Sequence, residues 1–197
     1  MVSLDSRFPG LESIQADHVA GGRLIAEHVI AMGHRRVGML SGFSELSSNR
    51  ERREGFVSAA KGAVDIVWEV NVDLVPQLRP EALEAIGRNT VSIIVCVNDL
   101  VAIAALSALK ALNLEVPDEV SVIGFDDMQW SSWPLIDLST VRQPLKMLGE
   151  QAVDLLINRL KLPTSPLVDR TLPVSFVKRG STRAFASGAD DISKLTR

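Results

Sequence analysis

Residues 91–127 read VSIIVCVNDLVAIAALSALKALNLEVPDEVSVIGFDD, and this stretch decides the fold class. Val91 to Val97 is an apolar run almost without polar residues, as expected for a strand covered on both faces of a parallel sheet. Asp99 to Asn113 then carries apolar residues around most of its circumference, the pattern of a helix buried on more than one side. A turn at Pro117 leads to a second apolar run, Val120 to Phe125, which ends on two adjacent carboxylates, Asp126 and Asp127. Strand, helix, strand in this order forms a parallel pair joined by a right-handed crossover.

The alternation continues on both sides. Upstream, a short apolar run at Val2–Leu4 precedes a loop with Pro9 and Gly10, and a helix follows from His18 until Gly33 stops it. RVGMLSG, ending at Gly42, is a strand, residues 49–62 a helix, VDIVWEV a strand, and RPEALEAIGRN a short helix with proline in its first turn. Downstream, an irregular stretch with Trp130, Trp133 and Pro134 leads to a strand near STVRQ. Pro144 opens a long helix with Leu145, Leu148, Ala152, Leu155, Leu156 and Leu160 inward, and TLPVSFV alternates as one last strand. The tail, residues 184–197, is small and polar and is expected to be disordered. The expected architecture is α/β, a Rossmann-like doubly wound parallel sheet.

Composition limits the partners. The chain has 197 residues and a net charge of −3, with a sequence pI of about 5.6. Phosphate neutralisation dominates nucleic-acid affinity, so this segment alone is not expected to grip DNA. Cys96, the one cysteine, lies inside an apolar run and reads as a buried small hydrophobe of a cytoplasmic protein. The first ten residues show no secretory signal pattern, and no apolar run approaches membrane-spanning length, so no membrane partner is expected.

In an open parallel α/β sheet, ligands bind beyond the carboxyl ends of the strands. That edge collects Asp5, Gly42, Phe43, Ser44, Asn98, Asp99, Asp126 and Asp127, with Arg52 leaning over it from the following helix. Carboxylates accept from hydroxyls, guanidinium donates a planar fork, and an amide does both, which suits a small polyhydroxylated or amide-bearing ligand. Asp99 is expected to cap the helix after it. A catalytic or metal role for Asp126 and Asp127 is the alternative, but adjacent strand-end residues diverge. His18, His28 and His34 lack the spacing of a zinc helix, and neither a phosphate-binding glycine loop nor a G-x-S-x-G elbow occurs. No metal, no cofactor and no enzymatic activity are expected. The pair Gly21–Gly22 is read as permitting close helix–sheet packing.

These same residues resemble the effector-binding core of lactose-repressor-type transcription regulators. The resemblance runs through VSLDSRFPGLESIQADHVAGGRLIAEHVIAMGHRRVGMLSG, Arg52 with EGF, VCVNDLVAIAALSALKALNLEVPDEVSVIGFDD, LSTVRQPLKMLGEQAVDLL and LPVSFVKRGST, nearly all of Val2 to Arg183. It implies a type I periplasmic-binding-protein-like fold of two lobes joined by three crossovers, with effector bound between them. The chain would hold one complete lobe (18–142 and 170–183) and a remnant of the other (1–17 and 143–169). Asp5 would be the ligand residue of the remnant, and Ser48, Arg52, Asn98 and Asp126 those of the complete lobe. A homodimer is implied, with Ile103, Leu106 and Trp133 at its interface. Operator DNA would be reached only through a helix-turn-helix domain outside this sequence, which would make the sequence a fragment. Leu74 and Leu46 stand where family members carry an aromatic ring or a second arginine, which favours a sugar or related polyol over a purine as effector.

Overall fold

The computed structural model describes residues 1–185. Two parallel sheets organise it. The larger has the order β4 (Asp65–Asn71), β3 (Arg36–Ser41), β5 (Ile93–Cys96) and β6 (Ser121–Ile123). Period-2 alternation divides its side chains between two cores. Val37, Met39, Ile93, Val95 and Ile123 face α1 (His18–Ala31) and α2 (Ser47–Ala60), while Leu40, Ile94, Cys96 and Val122 face α3 (Pro80–Gly87) and α4 (Asp99–Ala111). Covering both faces makes this the doubly wound sheet expected from residues 91–127.

The second sheet contains β1 (Val2–Leu4), β2 (Glu12–Ala16) and β8 (Asp169–Leu172), all parallel, with β2 in the middle. Helix α5 (Leu145–Lys161) covers it through Leu148 and Leu155, which pack on Ile14, Ala16 and Leu172. Two strands complete the description: β7 (Thr140–Arg142) pairs antiparallel with β9 (Ser175–Val177). Bridges from Ile123 to Ser139 and from Asp126 to Arg142 attach β7 beside the end of β6.

Four differences from the sequence reading have physical causes. β2 is a strand although its sequence, ESIQA, is largely polar, because the buried polar groups meet distant partners. Ser13 donates to Asp169 at 2.5 Å, Gln15 to Glu51 at 2.9 Å, and Glu12 pairs with Arg159 at 2.9 Å. The run TLPVSFV is two strands in two sheets: Pro173 lies between them and lacks the N–H a ladder needs, and residues 170–172 pair with β2 of the smaller sheet while Ser175–Val177 pair with β7. On α5, Leu145, Leu156 and Leu160 are exposed, the last at 80 %, because the apolar stripe is wider than the sheet beneath it. Phe185, read as part of the tail, is ordered: its N–H donates to Met32 O at 2.7 Å and its ring lies 5.7 Å from that of His34. Residues 186–197 of that tail lie outside the described residues.

The closest helix–helix approach sets up the site. A Cβ on Gly22 would strike the carbonyl oxygen of Arg52 and the amide of Phe56, and one on Gly55 would strike the carbonyl of Val19. Helices α1 and α2 therefore cross backbone to backbone, a distance only glycine allows. The glycine pair thus divides its work: Gly22 serves the helix–helix crossing, while Gly21 gives the expected close approach of helix to sheet, facing the Phe125 ring at the strand end and Val141 of β7.

Candidate functional site

Three non-glycine residues with positive φ mark the edge where strands end: Asp5 has φ 60°, Asp126 122° and Asp127 56°. Non-glycine residues seldom adopt such angles, and when they do the surrounding structure holds them there. Asp5 follows β1 of the smaller sheet and Asp126 follows β6 of the larger one, so the two carboxylates approach from different sheets. Arg52 lies between them. Its guanidinium rests 3.9 Å from the centroid of Phe125. Nη2 is 3.4 Å from Asp126 Oδ1 and 3.9 Å from Asp5 Oδ2, Nη1 donates to the Val97 carbonyl at 2.8 Å, and Nε donates to His18 Nδ1 at 3.2 Å. With Nδ1 accepting, neutral His18 carries its proton on Nε2, which lies 2.9 Å from Asp5 Oδ1. That contact lacks the alignment of a full hydrogen bond, and neither atom has another partner among the described residues.

The electrostatics of the two carboxylates differ. Burial opposes ionisation of Asp5, yet His18 and Arg52 together hold its carboxyl below the usual aspartate value. Burial dominates at Asp126 and raises its carboxyl above that value, against the pull of Arg52 and a 2.6 Å hydrogen bond from Gln143. Asp127 takes no part in this cluster. Its carboxylate is clamped by Arg142 at 2.5 Å and Arg179 at 2.6 Å, which outweigh burial and lower its pKa. It secures the turn, and the adjacent pair does not converge on one point.

Of the five ligand candidates, the fold brings Asp5, Arg52 and Asp126 together. Asn98 sits at the same edge, but its Oδ1 is occupied as the N-cap of α4, accepting from Val101 N–H at 2.9 Å. This corrects the expectation that Asp99 is the cap. Ser48 is buried in the first turn of α2, where its neighbour Ser47 accepts the Arg7 N–H at 3.0 Å. His18, Phe125 and Gln143 were missed as members of the cluster. His18 immediately follows the α1 cap Asp17, and Gln143 stands just before Pro144, so their positions at element boundaries were the available signal. At the expected interface, Trp133 is 56 % exposed, while Ile103 and Leu106 on α4 are half-buried, Leu106 against the core. Cys96 is buried and its thiol is pushed upward by burial, as a packing residue would be.

Asp99 instead forms a buried hub. Its carboxylate accepts from Met128 N–H at 2.9 Å, Ser131 Oγ at 2.7 Å and Thr140 Oγ1 at 2.5 Å, tying α4 to the segment after Asp127 and to β7. Burial outweighs these donors and pushes its pKa up to about 6. Because this stands above the ordinary aspartate value of 3.8, the group favours folding when protonated and that contribution is lost as pH rises through about 6. Asp99→Asn removes the ionisation. Its stability relative to the parent is expected to rise by on the order of 3 kcal/mol between pH 4 and pH 7, measured by urea unfolding. A pH-independent difference would refute the shift.

The periplasmic binding protein-like domain family matches residues 26–182. The HTH-type transcriptional repressor PurR of Photobacterium profundum is 34% identical over 158 residues, covering 78% of this chain and 47% of the relative. The chain thus spans about half the length of the curated relatives it matches. A dimeric Lac repressor with a C-terminal deletion superposes with a TM-score of 0.83 at 28% identity, covering 93% of this chain and 68% of that one. A LacI family transcriptional regulator from Enterococcus faecalis, solved with bound ribose, shares the fold with a TM-score of 0.85 at 24% identity over 93% of this chain and 68% of its own. No helix among the described residues is long and apolar enough to cross a membrane. The chain belongs to the periplasmic binding protein-like domain family, and its similarities lie with transcription regulators of lactose-repressor type.

Proposed function

We propose that this chain is the effector-sensing part of a bacterial transcription repressor of lactose-repressor type, acting in the cytoplasm on a small sugar or related polyol. One observation carries this reading: Arg52 stands between Asp5 of the smaller sheet and Asp126 of the larger one. A ligand whose hydroxyls engage these groups alters the contacts that tie one lobe to the other. Differential affinity for two lobe arrangements is what a ligand-driven switch requires. In this proposal residues 18–142, with the segment after Pro173, form one lobe and residues 1–17 with 143–172 contribute to the other. Asp5, Arg52, Asn98 and Asp126 bind the effector, with Ser48 at the margin. Ile103, Leu106 and Trp133 belong to a homodimer interface, and a helix-turn-helix domain outside this sequence meets operator DNA.

A thermal-shift panel of D-ribose, D-xylulose, cellobiose and adenine tests it. At least one sugar is expected to raise the melting temperature in a saturable way, and Asp126→Ala is expected to abolish that response while still unfolding cooperatively. A response to adenine alone, or one unchanged in Asp126→Ala, overturns the reading.

A further inference from the structure

Outside the Asp5 cluster, two hydrogen bonds among the described residues join β1, β2, α5, β8 or the loops between them to the larger lobe, and both end on α2. The Arg7 N–H donates to Ser47 Oγ at 3.0 Å, and Gln15 Nε2 donates to Glu51 Oε2 at 2.9 Å. Ser47 and Glu51 stand one helical turn apart, so a single strip of α2 receives the smaller lobe. The first bond uses a backbone donor that almost any residue at position 7 supplies. The second depends on both side chains.

Gln15 alternates along β2 with Ile14 and Ala16, which enter the core under α5, so its side chain leaves from the opposite face. It stands two residues before Asp17, one of the three places where the chain passes between lobes, and is 1 % exposed. The amide is only half satisfied: Nε2 meets the carboxylate, while Oε1 is buried without a partner. These halves act against each other when the lobes close. A hydrogen bond to a charged acceptor favours the closed arrangement. An unpaired buried carbonyl disfavours it and regains water when the lobes part. Opposed contributions of similar size leave a small net bias, and a small bias is what a ligand can tip through its differential affinity.

We propose that the Gln15–Glu51 hydrogen bond is an interlobe catch. It holds β2 against α2 in the ligand-free chain, breaks as the lobes rotate apart, and sets how much effector is needed to change the arrangement. The inference rests on the effector-sensing reading above and assigns its regulation to a pair outside the cluster of Asp5, Arg52 and Asp126.

Double electron–electron resonance between nitroxides at Pro9→Cys and Glu54→Cys reads the separation of the β1–β2 loop from α2. Both sites are exposed, and Cys96 is buried away from the label. The ligand-free parent is expected to show mainly the shorter distance. Gln15→Glu sets two carboxylates against each other, and Gln15→Leu withdraws the donor. Each is expected to lower the ratio of short to long distances by about ten- to a hundredfold, the range of one hydrogen bond to a charged group. Combining Gln15→Glu with Glu51→Gln exchanges acceptor and donor and is expected to restore the short distance, a recovery that simple loss of packing would not show. Gln15→Leu carries the test if Gln15→Glu does not fold. An unchanged ratio in the single variants, or no recovery in the exchanged pair, overturns the catch. D-ribose, D-xylulose and cellobiose added to the parent keep the two readings apart. Failure of every sugar to bind overturns the effector-sensing reading, while the ligand-free ratios still decide the catch.

Discussion

Arg52→Ala is expected to lose effector binding altogether and to lower folding stability by about 3–5 kcal/mol, the usual cost of removing one partner from a buried ion cluster. The side chain is 11 % exposed and lies between two carboxylates, so its deletion leaves both without a counter-charge. The aromatic face of Phe125 loses its cation, and the Val97 carbonyl and His18 Nδ1 lose their donor. The loss has a pH signature. Asp5, held below its ordinary value in part by Arg52, contributes stability that is present above the ordinary aspartate value of 3.8 and lost as pH falls through its folded value. Without the guanidinium, Asp5 and Asp126 both protonate more readily, and a protonated carboxyl does not need a counter-charge. The stability gap between parent and Arg52→Ala is therefore expected to narrow as pH falls from 7 toward 4. Denaturant melts at several pH values measure it, and a constant gap would show that the cluster is not electrostatically coupled. Arg52→Lys separates charge from geometry. An ammonium restores charge balance and some stability, but it has neither the planar fork nor the flat face that meets Phe125, so ligand affinity is expected to stay low.

The parts of this site that the sequence revealed are those fixed by backbone position alone. Asp5, Arg52 and Asp126 follow strands or open a helix, and a parallel sheet carries all such ends to one edge whatever the side chains do. His18 and Gln143 are different, because each belongs to the cluster only through a contact with a residue found first, His18 through Arg52 and Gln143 through Asp126. That Asn98 and not Asp99 caps α4 is a one-residue offset: either side chain can cap a helix, and the start of α4 decides which does. The same contrast holds for the fold. The larger sheet was legible because its strands are apolar on both faces, and each alternate residue has a core to enter. β2 was hidden because its stability depends on Asp169, Glu51 and Arg159, which are distant in sequence. Pro173 breaks a run whose alternation continues unperturbed across it, so side-chain pattern and backbone hydrogen bonding gave opposite signals there.

Gly22→Val should produce the other large effect, and it links packing to the site. A Cβ at Gly22 meets the carbonyl of Arg52 and the amide of Phe56, both backbone atoms that no rotamer change can clear. Relief requires α2 to move away from α1, which opens the core around Phe56, Ile25 and Val29. Strain of this kind with lost packing costs about 2–5 kcal/mol by analogy with overpacked and cavity-forming core variants. The movement also carries the Arg52 backbone away from Phe125, Val97 and His18, so affinity for the effector is expected to fall even in the fraction that stays folded. Gly149→Ala supplies the control. Gly149 lies on the exposed side of α5, where an added Cβ would meet no atom within 4 Å, so alanine there has only its helix propensity to express. It is expected to stabilise by about 0.5–1 kcal/mol and to leave ligand binding unchanged. Equal effects at the two glycines would mean that both report helix propensity, and the backbone crossing of α1 and α2 would then not be what positions Arg52.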